Sequence, residues 1–232
     1  MSLELIKLDS STLPSIADAI RAKTGETALL LPSQMPTAIA SIPSGGGGGA
    51  KEPYIEETYD ANGNLIDVNL VGYTTIRNNA FQNCVNLALN SLPSSITSIG
   101  ANAFQNCAKL ALASLPSVVT SIGNYAFASC AKITLTSLPS GLTRIEASTF
   151  DGCTNLALTS LPSSITSIGA NAFYKCTGLA SITFQGKPGS IASSAFNGCT
   201  NLKTINVPWA SGEVANAPWG ATNATINYNY TG

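Results

Sequence analysis

Hydrophobic residues recur along the middle of the chain with a period of 23 residues. Each of six units has a phenylalanine, a cysteine three residues later, and a leucine or isoleucine three residues after that. The phenylalanines and cysteines of the units are Phe81, Cys84, Phe104, Cys107, Phe127, Cys130, Phe150, Cys153, Phe173, Cys176, Phe196 and Cys199. A unit this short cannot enclose a core, so its neighbours must cover its apolar face. The period predicts a solenoid over residues 77–208.

Within one unit the residue types predict a strand, a corner, a short extended segment and one helical turn. The three-residue spacing from phenylalanine to cysteine to leucine suits an α-helical or 3₁₀ turn. The stretch from Ser95 to Ile99 contains β-branched residues, which favour an extended backbone. Pro93 and its equivalents lack a backbone N–H, so they fit the corners.

The segments on either side of the repeats predict four further regions. Residues 1–43 contain two short amphipathic helices, too small to bury a core of their own, and we expect them to attach to another chain. Residues 44–50 are a glycine-rich linker. Residues 51–76 form a hairpin cap around Asn62-Gly63. Residues 209–232 form a C-terminal cap that ends in an alternating strand.

Composition excludes several classes of function. Only 10% of the 232 residues are charged and the formal net charge is −1, so nucleic-acid binding is not expected. No apolar run is long enough to cross a bilayer, and the first residues do not read as a secretory signal. The chain has no histidine, no constellation of carboxylates and no phosphate-binding loop. We therefore expect no catalytic residues, no metal and no cofactor.

Cysteines and aromatic residues are the remaining candidates for chemistry. The spacing of the cysteines offers no C-x-x-C pair, so buried free thiols are expected, although bridges between stacked coils stay possible. The aromatic residues of the C-terminal cap can either close the last coil or contact a ligand by stacking on a sugar. These candidate contact residues are Trp209, Trp219, Tyr228 and Tyr230.

The repeats resemble the BspA-like class of leucine-rich repeats, which occurs in bacterial surface proteins and phage-associated proteins. The resemblance is carried by L-P-S-S-I-T-S-I-G-A-N-A-F-Q-N-C, from Leu92 to Cys107, and by its five companions. It implies an α/β leucine-rich repeat solenoid of six units, curved and right-handed, that binds proteins, cells or sugars without catalysis. We expect an irregularity near residue 180, because the leucine five residues after each early cysteine becomes an isoleucine at six, Ile182 and Ile205.

Both flanks are similar to tail-associated proteins of phages and prophages from gut bacteria. The similar segments are Ile16 to Gly25 and Asn206 to Tyr230. The expected function is a non-enzymatic tail or tail-fibre-like component that contacts a protein or glycan on a bacterial surface. Residues 1–43 would then bind other tail proteins or sister chains. The alternative is a BspA-like surface adhesin that binds host matrix or mucosal protein. The expected location is accordingly a virion tail or a cell surface.

Overall fold

The computed structural model describes residues 54–232, so the predicted attachment segment and glycine-rich linker lie outside the described residues. The described part begins with an antiparallel hairpin of β1 (Tyr54–Tyr59) and β2 (Leu65–Val71). Gly63 adopts a φ of 79° in the turn, which a glycine accepts without strain. The hairpin predicted around Asn62-Gly63 is confirmed.

The remaining strands are short, parallel, and stacked coil on coil. Their bounds are β3 (Thr75–Ile76), β4 (Ser98–Ile99), β5 (Ser121–Ile122), β6 (Arg144–Ile145), β7 (Ser160–Leu161), β8 (Ser167–Ile168), β9 (Ser181–Phe184), β10 (Ser190–Ile191), β11 (Thr204–Asn206) and β12 (Thr225–Asn227). Paired residues are 23 apart up to β11, for example Ser98 with Ser121 and Ser160 with Thr183, and 21 apart between β11 and β12. The solenoid with its 23-residue period is confirmed, and its first strand, β3, already lies within the stretch predicted as the N-terminal cap.

A series of turns takes the place of the predicted helical turn, and residues 54–232 contain no helix. In the first coil, the N–H groups of Ala80 and Gln82 donate to carbonyls three residues back in the same coil. The N–H group of Phe81, which lies between them, donates to Ala103 in the next coil at 2.7 Å. Alternate amides therefore bond within and between coils, which is incompatible with a helix but keeps the phenylalanines and cysteines pointing inward.

This alternation requires left-handed backbone conformations at two positions of the turn. In the first coil they are Asn79 and Asn83, with φ of 60° and 64°. Asparagine and glycine tolerate this region, whereas other side chains are strained in it. Several coils nevertheless have other residues there, among them Tyr125 with φ of 57°.

We expect Tyr125→Asn to stabilise the protein by about 0.5–1 kcal/mol, because asparagine relieves backbone strain while the exposed tyrosine ring gives up little burial. Urea unfolding monitored by circular dichroism measures the change. The matched control is Tyr125→Ala, which removes the same ring but keeps the left-handed penalty. Equal stabilities of the two variants would contradict this explanation.

The core of the solenoid is a column of stacked phenylalanines beside a column of cysteines. Successive rings, from Phe81 to Phe196, have centroids 5.0–5.7 Å apart and planes within 17° of parallel. All six cysteines are buried free thiols. From Cys107 onward, each Sγ donates to the phenylalanine carbonyl of the preceding coil at 2.9–3.1 Å. The cysteines thus fill space and satisfy backbone acceptors, as expected of buried thiols rather than bridges.

The irregularity expected near residue 180 does not interrupt the stacking. Leu161 still pairs with Phe184 at the regular distance of 23 residues. What changes is the spacing of inward side chains, from three residues in Leu158 and Leu161 to two in Ile182 and Phe184. A spacing of two is that of a β-strand, and β9 is correspondingly longer than the solenoid strands β3 to β8 before it.

The C-terminal cap is a seventh, degenerate coil. The amide of Ala221 donates to Pro218, and that of Ala224 to Ala221, which repeats the bonds of Cys199 and Leu202 one coil earlier. Gly220-Ala221-Thr222-Asn223-Ala224 therefore corresponds to Gly198-Cys199-Thr200-Asn201-Leu202. The strand β12 pairs in parallel with β11 and places Thr225 beside Thr204. The last regular coil is thus covered by a coil that has Ala221 and Ala224 in place of Cys199 and Leu202, and the buried Trp219 beside them.

Candidate functional site

One side of the solenoid is a continuous backbone ladder that starts at the hairpin. The N–H of Ala88 donates to Ile66 in β2 at 2.8 Å, and the N–H of Ala111 donates to Leu89 in the coil before it at 3.0 Å. Thr134 and Ala157 repeat this bond in the next two coils. The side chains that point outward along this ladder therefore form regular columns with one residue per coil.

We call this surface of the first four coils the hydroxyl face. Its residues are exposed or half-buried: Ala88, Asn90, Ser91, Ala111, Ala113, Ser114, Thr134, Thr136, Ser137, Ala157, Thr159 and Ser160. No member is charged. The face therefore offers methyl, hydroxyl and amide groups on short side chains, which lose little rotamer entropy on binding.

Towards the C-terminus the same ladder ends in a row of hydrogen-bonded side chains. Asn227 Nδ2 donates to Asn206 Oδ1 at 2.8 Å, and Asn206 Nδ2 donates to Thr183 Oγ1 at 3.1 Å. The exposed Lys203 stands on this part of the ladder. The side-chain amides of Asn206 and Asn227 are thus already engaged in hydrogen bonds along this end of the surface.

At its N-terminal end the hydroxyl face borders an open groove of about 670 Å³ between the hairpin and the first coil. The hairpin contributes Glu56 and Thr58 from β1, and Asp67 and Asn69 from β2. The register pairs Glu56 with Asn69 and Thr58 with Asp67, so all four lie on one face of the hairpin. The coil contributes the exposed Asn90 and Ser91, together with apolar residues that form the floor.

A family model described as "BspA type Leucine rich repeat region" matches residues 74–203 in six copies. This match covers more than half of the chain and falls on the coils that the structure shows. The chain belongs to the BspA-type leucine-rich repeat family. The resemblance read from the repeats is confirmed, and the resemblance of the flanks to phage tail proteins stays a prediction.

Solved structures of bacterial leucine-rich repeat proteins are similar to this BspA-type chain. A leucine-rich repeat protein of T. pallidum is 24% identical, with a TM-score of 0.41, 76% of this chain covered and 79% of the other. A leucine-rich cell surface protein of Faecalibacterium prausnitzii is 20% identical, with a TM-score of 0.33 and coverages of 68% and 71%. A leucine-rich repeat protein of Bacteroides ovatus is 19% identical, with a TM-score of 0.28 and coverages of 77% and 76%. A comparison with curated proteins finds no match.

The aromatic residues predicted as ligand contacts have different surroundings in this BspA-type protein. Trp209 and Trp219 are buried and pack edge-on or tilted against Phe184, at 5.3 and 6.1 Å between centroids. Trp219 Nε1 also donates to the carbonyl of Ala215 at 2.7 Å. Neither tryptophan can stack on a ligand without unfolding the cap, so the structure overturns their contact role and supports closure of the last coil.

The two tyrosines stay candidates for contact. Tyr228 is half-buried against the core, whereas Tyr230 is 40% exposed. The amide of Tyr230 donates to Val207, which holds the segment along the last regular coil. A ligand role for Tyr228 and Tyr230 stays a prediction.

The groove residues are functional candidates that the sequence reading did not bring together. Alternation along the hairpin separates Glu56 and Thr58 from Glu57 and Tyr59, and this signal is present in the sequence. Indeed Tyr59 donates its hydroxyl to Glu57 on the opposite side of β1. The missing information was the position of the hairpin beside the first coil, which depends on the bond from Ala88 to Ile66.

Proposed function

We propose that this BspA-type repeat protein is a non-enzymatic recognition protein of the bacterial cell surface, resembling an adhesin that binds host matrix or mucosal protein. The supporting observation is the hydroxyl face, a regular and uncharged surface spread over four coils. Repeat solenoids use extended surfaces of this kind to bind partners. The partner is a protein or glycan presented on a cell surface.

The chemistry of the hydroxyl face limits how such a partner is bound. Serine and threonine hydroxyls both donate and accept hydrogen bonds, and Asn90 adds an amide with both functions. Because the face has no charge, attraction over long distances is weak and binding depends on contact at short range. Affinity should then be nearly independent of ionic strength.

The proposed location is extracellular or at the cell surface, in keeping with the family. Residues 54–232 form no helix of the length and hydropathy that crossing a bilayer requires. Attachment to a cell would involve other parts of the protein or a partner.

Arginine substitution tests the hydroxyl face. Ala113→Arg places a long charged side chain in the middle of the face, and we expect it to weaken adsorption to mucin-coated or matrix-coated surfaces by at least about tenfold, or ~1.4 kcal/mol. The matched control is Ser121→Arg, which adds the same side chain at an exposed position of β5, outside the hydroxyl face.

Surface plasmon resonance at low and high salt measures both variants against the unchanged protein. Equal losses in the two variants would contradict a role for the hydroxyl face. A large loss of binding at high salt would contradict recognition without charge.

A second candidate function is a phage tail or tail-fibre-like component, which rests on the resemblance predicted for the segments from Ile16 to Gly25 and from Asn206 to Tyr230. In that case residues 1–43 bind other tail proteins or sister chains. Copurification with virion tails, and its loss on deletion of residues 1–43, distinguishes this function from that of a cell-surface adhesin. A gene located apart from capsid and tail genes would contradict it.

A further inference from the structure

We propose that the groove between the hairpin and the first coil binds a neutral sugar. This inference rests on the proposed function and gives it a ligand class and a place. The groove has about 670 Å³ of open space, within the range of about 300–1,000 Å³ found for small-ligand sites. It is also continuous with the hydroxyl face, so a longer glycan can extend from the groove onto the coils.

Hydrogen bonds within the hairpin hold the two carboxylates of the groove in place. Asn69 Nδ2 donates to Glu56 Oε2 at 2.9 Å, and the backbone N–H of Val68 donates to Asp67 Oδ1 at 2.9 Å. These bonds engage one oxygen of each carboxylate. Within residues 54–232, the second oxygens, Glu56 Oε1 and Asp67 Oδ2, accept no hydrogen bond and are available to a ligand.

The other polar groups of the groove add donors to these acceptors. Among the described residues, no hydrogen bond engages the side chains of Thr58, Asn90 and Ser91. Their hydroxyl and amide groups both donate and accept. A sugar hydroxyl also does both, so a polyhydroxylated ring matches this mixed set, whereas an ammonium or guanidinium group would use only the acceptors.

The charge of the groove and its apolar lining restrict the class of sugar that it can bind. Two carboxylates and no cationic side chain line the groove, which disfavours sialylated, sulfated and uronic-acid sugars. Beside these polar groups the half-buried Pro93 offers an apolar ring that can contact the C–H groups of a pyranose, whereas Val68, Leu89 and Leu92 lie beneath the groove in the core. A neutral glycan satisfies both conditions.

The test uses the full chain and immobilised neutral manno-, gluco- and galacto-oligosaccharides, with sialylated and sulfated oligosaccharides and a lysine-rich peptide as further probes. We expect binding to at least one neutral oligosaccharide, unchanged by EDTA. Glu56→Gln and Asp67→Asn should each weaken it by about tenfold or more. Glu57→Gln is the matched control, because it removes the same charge from the next residue on the opposite side of β1.

Four results would overturn the sugar site: no binding of any neutral oligosaccharide, binding that needs a divalent cation, a preference for the lysine-rich peptide, or an equal loss in Glu57→Gln. Thermal melting of each variant confirms that it is folded before binding is measured. The proposed function has a separate readout. If Ala113→Arg abolishes surface adsorption while the groove variants keep it, the sugar site fails and surface recognition by the hydroxyl face stands.

Discussion

Raising the pH from 8 to above 10 should unfold this protein, because its six buried thiols resist ionisation. Burial raises the pKa of Cys84 to about 11 and that of Cys199 to about 12, and it raises the pKa of the four cysteines between them as well. In the unfolded chain a thiol ionises near pH ~8.5. Between these values the folded state holds more protons than the unfolded state.

The free energy of unfolding therefore falls as the pH rises through this window. The contribution of the protonated thiols is fully present below about pH 8.5. Each proton that the folded state keeps and the unfolded state releases lowers the free energy of unfolding by about 1.4 kcal/mol per pH unit. Six thiols together lower it by up to about 8 kcal/mol per pH unit. Over two pH units this loss exceeds the free energy of unfolding of an ordinary protein, which is about 5–15 kcal/mol. The contribution of Cys84 levels off first, near its folded-state pKa of about 11.

Urea unfolding at a series of pH values from 7 to 10.5 measures this dependence. The control is Cys153→Ala, which should reduce the slope of stability against pH by about 1.4 kcal/mol per unit, whatever its stability at neutral pH. Tyrosine and lysine ionisation is the same in both proteins and cancels in the comparison. A slope that is unchanged in Cys153→Ala would contradict a thiol origin.

Phe127→Ala should destabilise the protein by about 3–5 kcal/mol, since it leaves a cavity in a closely packed column. Phe127 is fully buried, and its ring stacks on those of Phe104 and Phe150 at 5.6 and 5.7 Å between centroids. Phe196, near the C-terminal end, is equally buried, because Phe184 packs edge-on against it at 6.5 Å. We therefore expect a loss of similar size for Phe196→Ala.

Chemical denaturation at neutral pH measures both losses, with Phe127→Leu as the control that keeps most of the apolar volume. Phe127→Leu should cost clearly less than Phe127→Ala. A cost below about 1 kcal/mol for Phe127→Ala would mean that the coils rearrange to fill the cavity.

The sequence predicted the parts of the fold that depend on the period, but not those that depend on contacts between coils. Inward phenylalanines and cysteines follow from spacing alone, and the hairpin follows from Asn62-Gly63. The turn conformation does not, because the amide of Phe81 bonds to a residue of the next coil instead of closing a helix. Its sequence signal is the asparagine at Asn79 and Asn83, which suits left-handed backbone.

The ends of the molecule were harder to predict for the same reason. The seventh coil has Ala221 where the others have cysteine, so a search for cysteines at the regular period stops one coil early. The repeated T-I-N of β11 and β12 is the signal that reveals it. The sequence allows Trp219 either to close the last coil or to stack on a sugar, and only the packing of the cap shows that its ring is buried. The groove requires the hairpin and the first coil together.

The bonds that join successive coils also determine how this protein responds to force. Strand pairing between coils joins each residue to its equivalent one coil later, so tension on the chain ends loads the outermost coil first. That coil can peel away while those behind it stay folded, since each coil contacts chiefly its neighbours. Every coil released lengthens the chain by roughly 80 Å. Under shear between two surfaces, the solenoid would thus act as an extensible spring that dissipates load in steps and keeps its remaining coils intact.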